Sequence, residues 1–276
     1  MDDLPQHYHP GRQLRVDCAD GYVVVSVVQP FLPFTTSQVL LTRLEENAAG
    51  LSLPAGSTLV AKVYDPKFVH HRWVSGKPWS YAAEEQAARR WREGKSGAKN
   101  AFVAQPDTED PVVWEEFYLR RSMAMFSNEV RAYARLRSVQ DVVVPRLYAT
   151  GTLDVGSGGV PRAVAPPVLL LQYVEDVVSL EQLDPALVSR TLLDSAVASV
   201  QRFAMLGVTH GELTGSDVLC FPAHRPVHAF FVDFGSARSR REEECEEEWA
   251  VAVLEAGDVR RVEALFYWQV ERGLPW

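Results

Sequence analysis

Apolar residues in the first quarter of the chain follow the pattern of β-strands. Tyr22 to Val28 and Val39 to Leu44 are rich in valine and leucine, and a polar segment with prolines separates them. The run Thr58 to Tyr64 alternates well enough to predict a third strand. Lys62 lies in the middle of that run. The pattern therefore places an amine in the middle of a strand.

Helical patterns follow these strands. Tyr81 to Arg92 favours a helix, and Gly94 to Asn100 interrupts it with a loop signal typical of an inserted segment. Pro111 can open a second helix that continues to about Leu136. Glu129 falls on the apolar face of this helix, so its carboxylate is expected to point inward and to need a partner. The apolar residues on that face are Phe126, Tyr133 and Leu136.

The remaining chain predicts two more strands and a mainly helical end. Val142 to Leu147 and Val168 to Val174 read as strands, and Gly151 to Pro167 between them reads as an exposed hairpin loop. Further elements are predicted as a helix over Pro185 to Leu206, a strand over Val227 to Val232 and a helix over about Glu246 to Val270. The result is an α+β chain whose first part is mainly sheet plus helix, with a boundary within Asp176 to Asp184.

Charge and composition narrow the classes of function. The chain has 276 residues, of which 47% are apolar, enough for one two-lobed domain or two small ones. Its formal net charge of -8 argues against a basic surface that neutralises nucleic-acid phosphates or anionic lipid. We therefore expect neither nucleic acid nor a membrane among its partners.

Cysteine usage and targeting signals point to a reducing compartment. Cys18, Cys220 and Cys245 are widely spaced and form no Cys-x-x-Cys pair, so neither a disulfide framework nor a zinc site is indicated. The acidic first residues contain no apolar signal core, and no run of about 18 apolar residues occurs. A cytoplasmic protein is expected, with a nuclear location left open.

Two motifs in the last third carry residues suited to phosphoryl transfer. His210-Gly211-Glu212-Leu213-Thr214-Gly215-Ser216-Asp217 follows a predicted helix, and Asp233-Phe234-Gly235 ends an apolar strand. Phosphoryl transfer needs cations on the phosphates, carboxylates on the metal ion and a group that orients the nucleophile. The acids and the histidine of these motifs can supply the carboxylates for the metal ion and the group that orients the nucleophile.

With these motifs the chain resembles the protein-kinase-like superfamily over roughly Leu59 to Ala237. It is most similar to divergent fungal members and to the aminoglycoside and choline phosphotransferase branch. The resemblance implies a two-lobed α+β fold with a sheet-rich lobe over residues 1–176, which carries Glu129 on its long helix, and a shortened helical lobe over 177–276. It also implies ATP and Mg²⁺ as cofactors.

The resemblance also assigns roles in the motifs. Asp233 would be the magnesium aspartate, Asp217 would stand at the metal-binding asparagine, Glu212 at the catalytic aspartate and His210 at the loop histidine. Lys62 would be the strand lysine that holds the α- and β-phosphates, paired with Glu129. The hinge that receives adenine would be formed by Gln172, Tyr173 and Val174.

Each feature alone also has a structural interpretation. A strand lysine such as Lys62 is often a solvated edge residue, and Glu129 could be a surface helix charge. Asp-Phe-Gly is an ordinary strand-to-turn signal, and a lone histidine such as His210 often packs in a core. The order of all these features along the chain is what favours the kinase-like interpretation.

Departures from the family pattern leave two functions open. Glu212 replaces an aspartate, which displaces the carboxylate by roughly 1.5 Å, and Asp217 replaces an asparagine and adds a negative charge. No glycine-rich turn joins the first two predicted strands; Pro33 to Ser37 stands there instead. The chain is therefore expected to be an ATP- and Mg²⁺-dependent phosphotransferase acting on an unidentified hydroxyl, or a pseudokinase that binds nucleotide or a protein partner without turnover.

Overall fold

The structure, a computed structural model, describes residues 8–95, 104–155 and 162–271. The chain divides into two compact units. The first contains Met1–Phe126 and Leu147–Tyr173, and the second contains Ser127–Arg146 and Val174–Trp276. No helix in these described ranges is long and apolar enough to cross a membrane. The α+β content expected from the sequence is confirmed, with six α-helices and eleven strands among the described residues.

The first unit is built on a closed antiparallel sheet of six strands. The strand order is β1-β2-β3-β4-β6-β5, and β5 pairs back onto β1. Valines and leucines at alternate positions of these strands fill the interior. The strands are β1 (Gln13–Cys18), β2 (Gly21–Phe31), β3 (Gln38–Asn47), β4 (Thr58–Val63), β5 (Leu147–Leu153) and β6 (Pro167–Gln172).

The fourth strand explains how the sheet positions Lys62. Leu59, Ala61 and Val63 belong to the interior core, so Lys62 projects from the opposite face of β4. In the ladder Lys62 lies between Val39 of β3 and Leu169 of β6. Because β4 has a partner on both sides, the alternative of a solvated edge lysine is wrong.

Three helices begin in the first unit. They are α1 (His71–Ser75), α2 (Tyr81–Arg92) and α3 (Pro111–Arg135). The side chain of Ser80 caps α2, and the carboxylate of Asp110 accepts a hydrogen bond from the N–H of Val112 at the start of α3. The predicted helices over 81–92 and 111–136 are confirmed. The division between the two units falls inside α3, after Phe126. Of the loop predicted over Gly94–Asn100, residues 96–100 lie outside the described residues.

A buried ion-pair cluster ties separate segments of the first unit together. Arg162 donates two hydrogen bonds to Asp65 and two to Glu84, and the hydroxyl of Tyr8 also donates to Asp65. All three charged side chains are at most 5% exposed. Although burial raises the pKa of Asp65, the Arg162 guanidinium holds that pKa below its ordinary value. Such a cluster is stable only with every partner in place.

The second unit combines helices with three short strand pairings. Its strands form the orders β10-β9-β7 and β11-β8. Phe203, Phe231 and Phe234 pack edge to face in its core. The elements are β7 (Val178–Ser179), α4 (Arg190–Met205), β8 (Val208–Thr209), β9 (Val218–Phe221), β10 (His228–Phe231), β11 (Arg238–Ser239), α5 (Glu246–Ala256) and α6 (Asp258–Glu271).

Several predicted boundaries are wrong, each for a local reason. The strand predicted over Val142–Leu147 is a turn up to Val144, because Asp141 adopts a left-handed conformation (φ 65°) and its N–H bonds back to the Val144 carbonyl (2.9 Å). The strand begins at Leu147 and takes three residues of the loop predicted from Gly151 onward. Residues 156–161 of that loop lie outside the described residues.

Two predicted helices also differ. The helix predicted from Pro185 begins at Arg190, because Asp184 caps a short 3₁₀ turn and Ser189 then caps α4. The helix predicted over Glu246 to Val270 is two helices, separated at Gly257, whose φ of 65° is a left-handed helix end.

Removing the cation of the buried cluster should destabilise the protein. Arg162→Met leaves the two buried carboxylates without their cation, and we expect a loss of about 3–5 kcal/mol in the free energy of unfolding, measured by chemical denaturation. The matched control is Arg190→Met, because Arg190 and its partner Asp194 are 82% and 57% exposed. The control should lose no more than about 1 kcal/mol. Equal losses in both variants would contradict the assigned role of the cluster.

The same cluster predicts an acid-dependent loss of stability. The pKa of Asp65 is lower in the folded than in the unfolded chain, so its contribution is complete above about pH 4, the unfolded value, and is lost as the pH falls through the folded value. Urea unfolding at several pH values between about 3 and 7 measures this slope. Asp65→Asn should flatten it, and an unchanged slope would show that other carboxylates carry it.

Candidate functional site

Lys62 is the residue of the first unit that is a candidate for binding phosphate. Its side chain is buried (3% exposed), and its Nζ lies 5.3 Å from the centre of the Tyr64 ring. Tyr64 in turn packs edge to face against Phe126 (5.9 Å between ring centres). The aromatic face stabilises a desolvated ammonium group. Because burying an amine costs free energy, its position on an inner strand is unusual and marks it as a candidate for function.

The predicted hinge lies where the sheet ends. Gln172 is the last residue of β6 and pairs with Leu59 of β4. Tyr173 ends the first unit and Val174 begins a segment of the second. All three predicted hinge residues are half-buried.

The turn between β2 and β3, which stands where a glycine-rich turn would be, is part of the first unit's core. Phe34 is buried against Tyr8, and the Thr35 carbonyl accepts a hydrogen bond from the N–H of His70 (2.8 Å). Ser37 is also buried. These contacts are those of a turn that packs into the core.

Glu129 and Tyr133 share the inner face of the last part of α3. Both side chains are fully buried, so the inward orientation predicted for Glu129 is confirmed. Burial and the nearby carboxylates of Glu129 and Asp233 raise the pKa of Tyr133 well above its ordinary value. Glu129 lies one helical turn before Tyr133 on the same buried face, and Asp233 directly precedes Phe234, whose ring contacts Tyr133.

Asp233 follows β10 in a strained conformation. Its φ and ψ of 65° and 65° are left-handed, a region that residues other than glycine rarely adopt. The side chain of Asn128 donates a hydrogen bond to the Gly235 carbonyl (3.0 Å), which holds the turn against α3. The neighbouring ring of Phe234 is buried against Tyr133 and His210. Strain held by surrounding contacts is a feature of functional positions.

Asp217 is held beside Asp233 by backbone hydrogen bonding. The N–H of Val232 donates to the Asp217 carbonyl (3.0 Å), which joins the two motifs. The Asp217 Oδ2 accepts hydrogen bonds from the N–H and the hydroxyl of Thr214 (2.8 and 2.6 Å), which leaves Oδ1 for another partner. Burial raises the pKa of Asp217, and the Asp233 carboxylate adds to the rise against the lowering effect of the Thr214 hydrogen bonds.

His210 braces the loop from inside. It is 1% exposed, and its Nε2 lies 2.9 Å from the Val232 carbonyl. Because a carbonyl only accepts, Nε2 carries the proton and donates. The ring also packs against Phe234, with 4.9 Å between ring centres. His210 therefore ties the loop to the Val232 backbone and to the Phe234 ring.

Asp258, at the start of α6, holds the backbone of the same loop. Its two carboxylate oxygens accept hydrogen bonds from the N–H groups of His210 (2.6 Å) and Gly211 (3.2 Å). Arg261, one turn later, donates to the Leu213 carbonyl (2.8 Å). Sequence reasoning missed both residues. An acid in the first turn of a helix reads as a favourable dipole contact, and nothing local indicates that it binds a loop 47 residues away.

Glu212 lies at the exposed edge of the loop. Its Oε2 accepts a hydrogen bond from the hydroxyl of Ser236 (2.8 Å), a residue that sequence reasoning also missed. The two loops approach closely at Gly211, where an added Cβ would lie 2.5 Å from the Ser236 carbonyl oxygen. Only glycine fits there, and its φ of 87° also requires it.

A groove of about 790 Å³ opens beside this loop in the second unit. Thr209 and Gly211 form part of its wall, and α5 forms another part through Val251 and Ala252. The rim carries both charges: the arginines are Arg238 and Arg241, and the glutamates are Glu243, Glu244, Glu248 and Glu255. The groove is large enough for a small molecule or a peptide segment.

The acids of the second unit fit a magnesium ion whose coordination shell is completed by water and a bound substrate. Among the described residues no three His, Cys, Asp or Glu side chains come together as an all-protein metal site would need. Mg²⁺ commonly takes one or two carboxylates and completes its shell with water and substrate phosphates. Asp217 and Asp233, two neighbouring carboxylates whose repulsion a cation would relieve, match that donor set.

The predicted site residues fall into two groups. Adjoining segments of the second unit carry His210, Glu212, Asp217, Asp233 and Glu129. The first unit carries Lys62, Gln172 and Tyr173.

No protein-family profile matches the chain, and no curated protein matches it. Among solved structures, one that the chain is similar to is the complex of the Rio2 kinase with ADP, Mg²⁺ and phosphoaspartate from Chaetomium thermophilum. The sequence identity is 14% and the TM-score is 0.45, over 86% of this chain and 54% of that chain. The chain thus spans about half the length of that structure.

Removing the carboxylate of Asp258 should release the loop that it holds. Asp258→Ala leaves two backbone N–H groups without acceptors, and we expect a loss of about 1–3 kcal/mol in the free energy of unfolding. Amide hydrogen exchange at His210 and Gly211 should quicken more than at other protected amides. The control is Asp184→Ala, which removes an exposed cap from Ala186 and should not change exchange at these two amides selectively. Unchanged exchange in Asp258→Ala would contradict the assignment.

Proposed function

We propose that the protein is a kinase-like phosphotransferase that binds ATP with Mg²⁺ and transfers phosphate to an unidentified hydroxyl. The observation that carries the proposal is the joined pair of acids in the second unit. Asp233 is held in a left-handed turn after a strand, and the backbone of Val232 ties it to Asp217. Two neighbouring carboxylates, one buried and one half-buried, repel each other without a cation, and Mg²⁺ bound to nucleotide phosphates would supply that charge.

The position of each side chain supports the role that we propose for it. Asp233 and Asp217 would hold the metal ion, and His210 would keep their loops in register through the Val232 carbonyl. Bound Mg²⁺ would neutralise charge on the phosphates during transfer. Glu212 would orient or deprotonate the acceptor hydroxyl, and the groove beside Gly211 offers room for that acceptor.

Lys62 and the hinge residues receive their roles from the resemblance. A buried ammonium group on an inner strand would bind the α- and β-phosphates, and its burial is unusual enough to favour a function over a structural role. Glu129, buried on α3, would be the acid that fixes Lys62. Gln172, Tyr173 and Val174 would receive adenine.

One observation favours a second function, a pseudokinase that binds nucleotide without turnover. Glu212, which is longer than the expected aspartate, accepts a hydrogen bond from Ser236. That bond uses one of the two carboxylate oxygens, so an acceptor hydroxyl would compete with Ser236 for Glu212. The domain would then serve as a binding or scaffold module for a protein partner.

Thermal stability with and without Mg²⁺ and ATP tests nucleotide binding. A ligand that binds only the native state raises Tm with the logarithm of its excess over Kd. We expect a Mg²⁺-dependent rise in wild type, none in Asp233→Ala, and a weakened one in Lys62→Met. Asp184→Ala, a change at an exposed turn, is the matched control and should keep the full rise. If Tm of the wild type does not rise at all, the proposal is contradicted. The same result would contradict a pseudokinase that binds nucleotide.

Release of ADP with candidate acceptors separates the two functions. The phosphotransferase requires release that Glu212→Ala reduces by about a hundred- to ten-thousandfold, the usual contribution of a general base. Nucleotide binding should survive that substitution, because Glu212 is exposed at the edge of the loop. Binding without release in wild type favours the pseudokinase.

A further inference from the structure

The hydroxyl of Tyr133 is a buried polar group without a partner among the described residues. The side chain is fully buried, and its oxygen makes no hydrogen bond there. Other large buried tyrosines differ: the Tyr8 hydroxyl donates to Asp65, and the Tyr118 hydroxyl contacts His71 and Ser75. A buried hydroxyl without a partner destabilises a fold. The packing of the metal-free protein therefore gives no reason for the hydroxyl of Tyr133.

The contacts around Tyr133 fix where that hydroxyl lies. The ring packs edge to face on Phe234, with 5.7 Å between ring centres. The side chain of Gln140 donates to the Tyr133 carbonyl (2.9 Å), which holds the backbone at the end of α3. A phenylalanine would make the same ring contacts. Packing against Phe234 therefore explains the ring but leaves the oxygen unexplained.

Two carboxylates lie near the unpartnered oxygen. Glu129 precedes Tyr133 by one helical turn on the same buried face, and Asp233 directly precedes the Phe234 that Tyr133 contacts. A tyrosine hydroxyl carries its proton at neutral pH, so it can donate a hydrogen bond to a neighbouring carboxylate. Asp233 is half-buried, and its Oδ1 accepts a long hydrogen bond from the N–H of Gly235 (3.4 Å).

We propose that Tyr133 is a positioning residue of the magnesium site: its hydroxyl donates to the Asp233 carboxylate when the cation binds, and thereby directs the other oxygen to the metal ion. The inference rests on the proposed function. Ligating carboxylates are commonly oriented by such hydrogen bonds, and removal of the donor weakens metal binding by about ten- to a hundredfold. Tyr133 acts through Asp233 and touches neither nucleotide nor acceptor.

The test compares Tyr133→Phe with wild type in two measurements. The first is Tm of the metal-free protein, which should stay equal or rise, because the substitution removes an unsatisfied hydroxyl and keeps the ring. The second is the Mg²⁺ concentration that gives half of the ATP-dependent rise in Tm. It should increase about tenfold or more in the variant.

The matched control is Tyr118→Phe, a buried tyrosine whose hydroxyl is hydrogen-bonded and which has no role in the proposed site. It should show the opposite pattern, a lower metal-free Tm and an unchanged Mg²⁺ requirement. A Tyr133→Phe variant with an unchanged Mg²⁺ requirement would overturn the inference and leave the proposed function standing. A fall of its metal-free Tm as large as that of the control would make the hydroxyl structural and overturn the inference as well. A wild-type protein without any Mg²⁺- and ATP-dependent rise would overturn both.

Discussion

The candidate site depends on the backbone of a single residue, Val232. Its N–H donates to the Asp217 carbonyl, and its carbonyl accepts from His210. These two bonds join the loop that ends at Asp217 to the turn that begins at Asp233. Substitution of the Val232 side chain leaves both bonds in place, because the main chain makes them. The join therefore requires only that β10 end where it does and that Asp233 accept its left-handed conformation.

That join creates the electrostatic problem from which the site's chemistry follows. It brings Asp217 near Asp233, and their repulsion adds to burial in raising the pKa of Asp217. Fixed groups in the second unit relieve part of this cost, since Thr214 donates two hydrogen bonds to Asp217. The remaining repulsion makes the pair costly without a cation, and this is the electrostatic condition that the proposed magnesium site would relieve.

The sequence predicted those parts of the fold that local pattern controls. The strand over Thr58–Tyr64, the long helix and the inward face of Glu129 follow from periodicity alone, and all three are present. The valine-rich Val142–Leu147 misled the prediction, because one left-handed residue, Asp141, formed a turn against the β-propensity that follows it. Propensity cannot register a turn that depends on a hydrogen bond to Val144.

The supporting residues of the site were beyond prediction for a different reason. Asp258, Ser236 and Tyr133 act on residues that lie far along the chain or on another element, and none belongs to a recognisable motif. Each is an ordinary residue for its local setting: an acid at a helix start, a serine after a turn, an aromatic residue on an apolar helix face. Their roles follow from the residues that they contact in the folded chain, and those contacts cannot be read from the sequence.

The hydrogen bond between Ser236 and Glu212 bears on whether such a site turns over, and its energy can be weighed. The bond joins exposed groups, so breaking it costs on the order of 0.5–1.5 kcal/mol. Water can take the place of Ser236 as the donor to the carboxylate, so no desolvation penalty is added. A cost of that size lowers the population of free Glu212 by roughly a factor of two to ten. Displacement of the carboxylate by the extra methylene would cost more, on the order of a hundredfold in the rate of the proposed reaction. In the proposed phosphotransferase the reach of Glu212 would therefore limit catalysis more than its bond to Ser236. An acceptor hydroxyl that lies about one bond length farther from the loop than an aspartate would require would offset this larger cost.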